Sequence, residues 1–564
     1  MEVYLYHQTE LVDIFSLLSR DMDIFPFMVK YQSFLSSLKK HIMTEKNPTL
    51  QKAYFLILTL LYKLIPYTRD IYGGLGERKL SYMMLFIWNY QFPVPAAYCL
   101  QKMVLPIEGN PSYGSWRDIK NMCLFVREFS EKKDHDPFIE TCISMMNHQL
   151  DVDYTTWNLS LDEYIRKLNT GFAVEKPTHI TAGISLVSKW IPREGSAFDW
   201  LNKRCALQWI RSFKPEYLDS CKNDRQFKAV LRKGSKEYRH VFARLSKVCD
   251  TLEIKQCDRQ WDAIKIVDLP FLALHRQQRS LLNISSLGDV RKKTLGVLDR
   301  QSCAKKIQAL WRCKKQTYNP VFTDMGLFVK LAMRVSSGEI VRMENQWTHI
   351  LSQVSEMPHT IPILDMSLFH LHPDRFYEAL GLACIVAMKS MKKRILMFDQ
   401  TTHFVSLEHC STLREILHVL RPIYYEHHIG QNIKSVCDVI LTSMSASPSV
   451  DVQNMKLAFF TYYDKIEDIQ NIVQESFENA GFVKSPSLLV WRANQTVPLI
   501  IPCCNRKKKP DTFIFSGNVN YTWTRISQLP PEAWENMNSF DFIAYLLNQP
   551  RYDLFENYFQ RLLK

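Results

Sequence analysis

In the stretch Asp365-Met-Ser367-Leu-Phe369 a carboxylate and a hydroxyl stand two residues apart, just behind a short apolar run. Residues two apart on an extended strand project to the same side, so Asp365 and Ser367 would converge on one place. A second apolar run, Phe459-Phe-Thr-Tyr-Tyr-Asp464, also ends in a carboxylate. Open α/β sheets hold ligands at the carboxyl ends of their strands, near the topological switch point. Hard oxygen ligands gathered there would suit magnesium. The candidate metal ligands are therefore Asp365, Ser367 and Asp464. Mg2+ is the ion such a site would take.

The basic residues suggest a different chemistry. Between residues 203 and 247, lysines and arginines interleave with Phe213, Tyr217, Phe227, Tyr238 and Phe242. Cations can contact phosphates while exposed rings stack on bases. The alternative is a helix with its aromatics in the core and its charges in water, and for the aromatics that alternative is preferred. The candidate polyanion contacts are Arg225, Lys228, Arg232, Lys233 and Arg239. A second basic segment contains Arg291-Lys-Lys293 and then Ala304-Lys305-Lys306-Ile307-Gln308-Ala-Leu310-Trp311-Arg312-Cys313-Lys-Lys315. It adds Lys305, Lys306 and Arg312 to the candidates.

Gly73, Gly74 and Gly76 could cradle a phosphate at a helix N-terminus. No strand precedes them and no Gly-Lys-Ser/Thr follows, so a structural turn between helices is expected instead. The chain has no Gly-x-Ser-x-Gly elbow, no His-Glu-x-x-His helix and no kinase signature, and no enzyme is expected.

Large elements must position these residues. Of the 564 residues, 46% are apolar and 23% charged, the balance of a packed chain. No run of 18 uncharged apolar residues occurs, so no membrane span is expected. The start, MEVYLYHQTELVDIF, lacks the basic region of a secretory leader. The 14 cysteines form no Cys-x-x-Cys pair and read as reduced thiols, which points to an intracellular, cytoplasmic place. The formal charge is +14, yet residues 201–316 alone carry a net +16, leaving the rest at −2. A basic zone so confined is the footprint of a polyanion.

Up to about residue 345 the apolar spacing is helical, as in residues 53–64, 80–88 and 227–245, with Gly- and Pro-containing breaks between. Many short helices in series suggest a solenoid or a large bundle. From about residue 355, strands at 394–398, 403–407, 456–463, 488–491, 499–501 and 512–515 alternate with helices at 375–391, 413–420 and 466–480. That alternation predicts a parallel, doubly wound α/β domain. Residues 540–547 and 552–563 read as two closing helices.

Asp365-x-Ser367, with Asp464 after a later strand, resembles the metal-ion-dependent adhesion site of a von Willebrand factor A domain. That family reads Asp-x-Ser-x-Ser in its first loop and has a Thr in a second; here Phe369, which cannot coordinate a cation, stands at the second serine, and Gly430-Gln431-Asn432 occupies the stretch of the Thr. The resemblance therefore implies a degenerate site without an ion, and no cofactor is expected. Arg69-Asp70-Ile71-Tyr72-Gly73-Gly74-Leu75-Gly76-Glu77-Arg78, Tyr113-Gly-Ser-Trp116-Arg117-Asp118 and Lys189-Trp190-Ile-Pro192-Arg193-Glu194-Gly195 extend the likeness. So do Leu489-Val-Trp491 and Phe515-Ser516-Gly517. Together they resemble a poorly characterised two-domain family, with members in large DNA viruses. Its helical domain is like that of the Ro autoantigen (the TROVE module) and precedes a von Willebrand A domain. The resemblance implies an α plus α/β chain. Residues 1–345 would form a HEAT-like, TROVE-like helical repeat domain carrying the basic region 201–316. Residues 355–564 would form a doubly wound A-type domain with its closing helices.

It further implies a non-enzymatic ribonucleoprotein scaffold, whose helical domain holds RNA and whose A-type domain contacts protein. The alternative is a structural or virion-associated interaction protein of a large DNA virus. Residues 304–315 also resemble the first half of an IQ motif, through Ile307, Gln308 and Arg312. A calmodulin-like partner at residues 307–315 is the minor reading; a basic amphipathic helix can equally meet a membrane surface, nucleic acid or a neighbouring domain. Trp116 and Trp190 are expected as core anchors.

Overall fold

The computed structural model describes residues 2–18, 23–106, 111–169, 183–219, 221–266, 269, 271–285, 291, 297–312, 325–334, 340–352, 354–425, 430–445, 452–462, 466–493, 512–515 and 538–563. Among the described residues the chain is mostly helical, with a six-stranded sheet in its C-terminal half. No described helix is long and apolar enough to cross a membrane. The eleven described cysteines are free thiols.

Packing divides the chain into two compact units. One comprises Met1–Glu77, Ile266–Gln278 and Lys305–Lys564; the other comprises Arg78–Lys265 and Arg279–Ala304. The sequence-order division between residues 345 and 355 thus does not coincide with the packing. The first helices join the C-terminal half, and buried polar pairs hold them there. In the helix Pro48–Arg69, the Lys63 side chain is fully buried. Its ammonium donates to Asn548 Oδ1 at 2.8 Å and Glu556 Oε2 at 2.5 Å. Phe55 stacks on Phe559, and Tyr62 meets Phe555 edge-on. At the helix C-terminus Asp70 is fully buried and accepts from Arg551 Nε, Arg551 Nη2 and Tyr552 Oη, at 2.5, 3.0 and 2.9 Å.

The glycine-rich segment is a helix stop, as the missing strand and Gly-Lys-Ser/Thr suggested. Its backbone N–H groups turn back on the helix: Leu75 donates to Tyr67 O at 3.0 Å, Gly76 to Asp70 O at 3.0 Å and Glu77 to Thr68 O at 2.7 Å. Donors committed to carbonyls are not presented to a phosphate. A Cβ on Gly74 would lie 1.8 Å from the Tyr67 carbonyl oxygen, and Gly76 has φ +70°. Gly74→Ala is therefore expected to cost at least about 2 kcal/mol, because backbone must shift. Thermal unfolding checks this, and an unchanged midpoint would contradict the close approach.

The sheet is built from β1 (Thr360–Asp365), β2 (Arg394–Phe398), β3 (Thr402–Ser406), β4 (Lys456–Thr461), β5 (Ser487–Arg492) and β6 (Thr512–Phe515), in the order β3-β2-β1-β4-β5-β6. The strand expected at 499–501 lies outside the described residues. The sheet is not wholly parallel, because β3 runs antiparallel to β2. Only residues 399–401 join these two strands, a hairpin length; a parallel crossover needs a dozen residues or more. One core face gathers Ile363, Phe398, Phe459 and Val490 against the helices Ile433–Ser445 and Ile466–Asn479. The helix Pro373–Lys389 packs against β1 outside that cluster, so helices cover both faces.

In the other unit, successive helices pack in series. Lys79–Gln91 lies on Pro93–Val104, Trp116–Phe129 on Pro137–Asn169, and Asp199–Phe213 on both Pro137–Asn169 and Asp224–Val248.

Candidate functional site

The strand order reverses between β1 and β4, and there the sheet brings its polar strand ends together. Asp365 ends β1, is fully buried and accepts four hydrogen bonds. Ser367 N and Oγ donate to its Oδ1 at 3.0 and 2.5 Å. Thr461 Oγ1, at the end of β4, donates to its Oδ2 at 2.7 Å. Gln431 Nε2 donates to the same Oδ2 at 2.5 Å and to Ser367 Oγ at 3.1 Å. Burial pushes the Asp365 carboxyl above the usual carboxylate range, and the bonds from Ser367, Thr461 and Gln431 oppose that shift.

The loop that delivers Gln431 is fixed to the neighbouring strand end. Asn432 N donates to Asp399 O at 2.7 Å, and Gly430 lies against the side chain of Gln400. Asp365 and Ser367 thus meet, but through the turn that follows β1 rather than along one extended strand, since Ser367 has φ −59° and ψ −25°; Asp464 lies outside the described residues. Thr461 and Gln431 complete the described set. An amide nitrogen stands between the carboxylate and the hydroxyl, presenting hydrogens where a cation needs lone pairs. As arranged, these side chains satisfy one another and do not fit magnesium unless Gln431 moves. Phe369 turns into an aromatic cluster with Phe376, Tyr424 and Tyr425.

The second candidate surface is the helix Asp224–Val248. Asn223 caps it by accepting from Gln226 N at 2.9 Å. Gly234, Tyr238, Phe242 and Leu245 are buried, at helical spacing. Gly234 is required where the helix crosses its neighbour, since a Cβ there would meet Ile210 at 2.3 Å. The opposite face carries Arg225, Lys228, Arg232, Lys236 and Arg239, all exposed, with Lys233 beside them. Arg239 pairs with Glu194 at 2.8 Å, and Lys233 lies over the Tyr217 ring at 4.3 Å. Tyr238 and Phe242 are core residues, and only Phe227 of the helix aromatics is exposed. No protein-family model and no curated protein matches the sequence.

The basic segment near residue 305 is a separate matter. Lys305 and Lys306 are exposed on the helix Leu298–Arg312, but Ile307 is fully buried. The side chains of Leu310, Trp311 and Arg312, and residues 313–315, lie outside the described set. Arg300 of this helix sits 3.7 Å over the Trp261 ring and donates to Ser280 O at 2.6 Å. The compact units divide between residues 304 and 305, so the second basic stretch is split: Arg291 falls in the same unit as the helix Asp224–Val248, and Lys305 and Lys306 in the other.

A third group was not assembled by spacing. Trp116 is a core residue as expected, but Trp190 is only half buried and is ringed by cations. Arg117, Lys120 and Lys189 stand 5.6, 5.3 and 5.6 Å from its ring centroid. The Tyr113–Asp118 and Lys189–Gly195 segments, far apart in sequence, therefore meet at this indole.

Proposed function

We propose that the chain is a non-enzymatic RNA-binding scaffold whose polyanion surface is the exposed face of the helix Asp224–Val248. One observation carries this reading: the basic side chains occupy the face opposite the buried residues, with few acids among them. Cations so arranged present a linear row to successive phosphates. The helices packed in series support a TROVE-like repeat. The sheet covered by helices on both faces and the Asp365/Ser367 pair at its switch point support a von Willebrand A-like module serving protein contacts in an intracellular particle.

Reversing Arg225, Lys228, Arg232, Lys233 and Arg239 to Glu is expected to abolish binding of single-stranded RNA. Thermal unfolding should change little, because the only described ion pair involved is the exposed Arg239–Glu194. For the unaltered chain, contact with about six phosphates predicts a slope near −4 for log affinity against log salt. A salt-independent affinity would overturn the reading.

The filled Asp365 site favours a second reading, a structural or virion-associated protein whose metal-dependent ligand binding has been lost. Stoichiometric co-purification with particles, without a defined RNA, would decide for it.

A further inference from the structure

The helix Trp116–Phe129 begins behind a capping box in which Ser115 and Asp118 satisfy each other, and this fixes its first turn. Arg117 and Lys120, three residues apart, leave that turn on one side. The ring of Trp190, in the short helix Val187–Trp190, lies under both. Lys120 also stands 4.6 Å over the Phe198 ring. Arg193 enters from the loop that follows Trp190. Its Nη2 donates to Ser188 O and Ser246 Oγ, both at 3.3 Å, and its guanidinium lies 4.6 Å over Phe242. These bonds hold it in place without neutralising it.

The cluster is not charge-balanced. Lys189 has a carboxylate, Glu253, at 2.8 Å. Among the described residues, no ion pair reaches Arg117, Lys120 or Arg193. Burial pushes the Lys120 ammonium below the usual lysine range, and the charges of Arg117 and Arg193 push it further. Like charges held around shared rings are unfavourable until an anion joins them. Fixed guanidinium forks suit a planar or tetrahedral oxyanion. The excess of about three positive charges favours a group bearing more than one negative charge. A phosphomonoester carries about −1.5 to −2 at neutral pH, whereas a carboxylate or an internal phosphodiester carries only −1.

We propose that Arg117 and Lys120, gathered about Trp190 and Phe198, together with Arg193, held over Phe242, form a binding site for a terminal phosphate of a nucleotide. The group comes from the 5′ end of an RNA strand or from a free mononucleotide. Arg239, on the basic helix face, pairs with Glu194, which is adjacent to Arg193, so a strand lying along that face would end at this corner. The RNA-end form of the proposal rests on the RNA-binding reading.

The test compares ten-residue oligouridine with a 5′-phosphate or a 5′-hydroxyl, and uridine monophosphate, by fluorescence anisotropy and thermal shift. The unaltered chain is expected to prefer the phosphorylated strand about tenfold. The double variant R117Q/K120Q should lose that preference and any stabilisation by the mononucleotide. It should fold normally, since neither side chain makes a described ion pair. On the helix Asp224–Val248, the single reversal Lys228→Glu should weaken both strands alike and leave their ratio intact. Equal affinity for the two strands, together with no shift from the mononucleotide, would overturn the site. So would a preference that persists in R117Q/K120Q. If the unaltered chain binds no RNA, the RNA-binding reading fails; a mononucleotide shift abolished by R117Q/K120Q would still establish the site, and its absence would dismiss it.

Discussion

Asp70→Ala is expected to destabilise the protein by about 3–5 kcal/mol, because it strands the guanidinium of Arg551 without its carboxylate. Both members of the pair are shielded from water: Asp70 is fully buried, and the Arg551 side chain is 17% exposed. Asp70 also holds the turn, accepting from Tyr72 N at 3.0 Å, and takes the Tyr552 hydroxyl. The substitution thus unties the helix Pro48–Arg69 from the C-terminal segment at two residues, Arg551 and Tyr552, and loosens the turn at Tyr72 as well. Urea unfolding followed by circular dichroism measures the loss. The double variant D70A/R551M should recover part of it, since removing both charges leaves nothing uncompensated. An unchanged unfolding midpoint for Asp70→Ala would mean that this pair does not hold the first helices to the last.

That pair also marks the boundary of what sequence can convey. Asp70 and Arg551 are 481 positions apart, and Lys63 and Glu556 are 493 apart. Helical periodicity identifies the helix and its buried residues but says nothing about the distant carboxylate that meets a buried lysine. The strands at 394–398 and 512–515 were legible because each is a compact apolar run between breaks. The helix Ile433–Ser445 was not, although Ile433, Val436, Cys437, Ile440 and Met444 keep helical spacing. Its Ile, Val, Ser and Thr content weakens the local signal, and packing against the sheet supplies the rest. The antiparallel edge could have been read from the length of the 399–401 link, a constraint that element alternation alone ignores.

The two site readings differ in the same way. The basic face of Asp224–Val248 follows directly from 3.6-residue spacing, with Gly234, Tyr238 and Phe242 facing inward. Asp365 and Ser367 were legible as near neighbours, although a turn and not strand alternation joins them, whereas Thr461 required the register of β1 with β4, which pairs Leu364 with Phe460. The convergence of Arg117 and Lys120 on Trp190 required tertiary structure, since more than 60 residues separate them, 117 to 190 in number.

Gln431→Ala should turn the strand-end cluster into a cation site and lower stability when no ion is present. In the unaltered protein the amide bonds both Asp365 Oδ2 and Ser367 Oγ, so each oxygen is already satisfied from within. Truncation leaves Oδ2 with Thr461 alone, and a buried acceptor deprived of a donor costs about 1–3 kcal/mol. The vacated space faces a carboxylate and two hydroxyls, a hard-oxygen set suited to magnesium. At a hundredfold excess over its dissociation constant, the ion would return about 2.7 kcal/mol. Thermal unfolding in magnesium chloride against chelator should therefore separate the two proteins. The unaltered chain is expected to be indifferent, and the variant to melt lower in chelator and regain most of the loss in magnesium. Gln431→Thr, which supplies a hydroxyl in place of the amide, should respond more strongly than Gln431→Ala. A magnesium-dependent rise in the unaltered chain would show that Gln431 gives way to the ion. Indifference in both variants would place the obstacle at Phe369, whose ring is committed to Phe376 and Tyr424 where the adhesion-site pattern has a second serine.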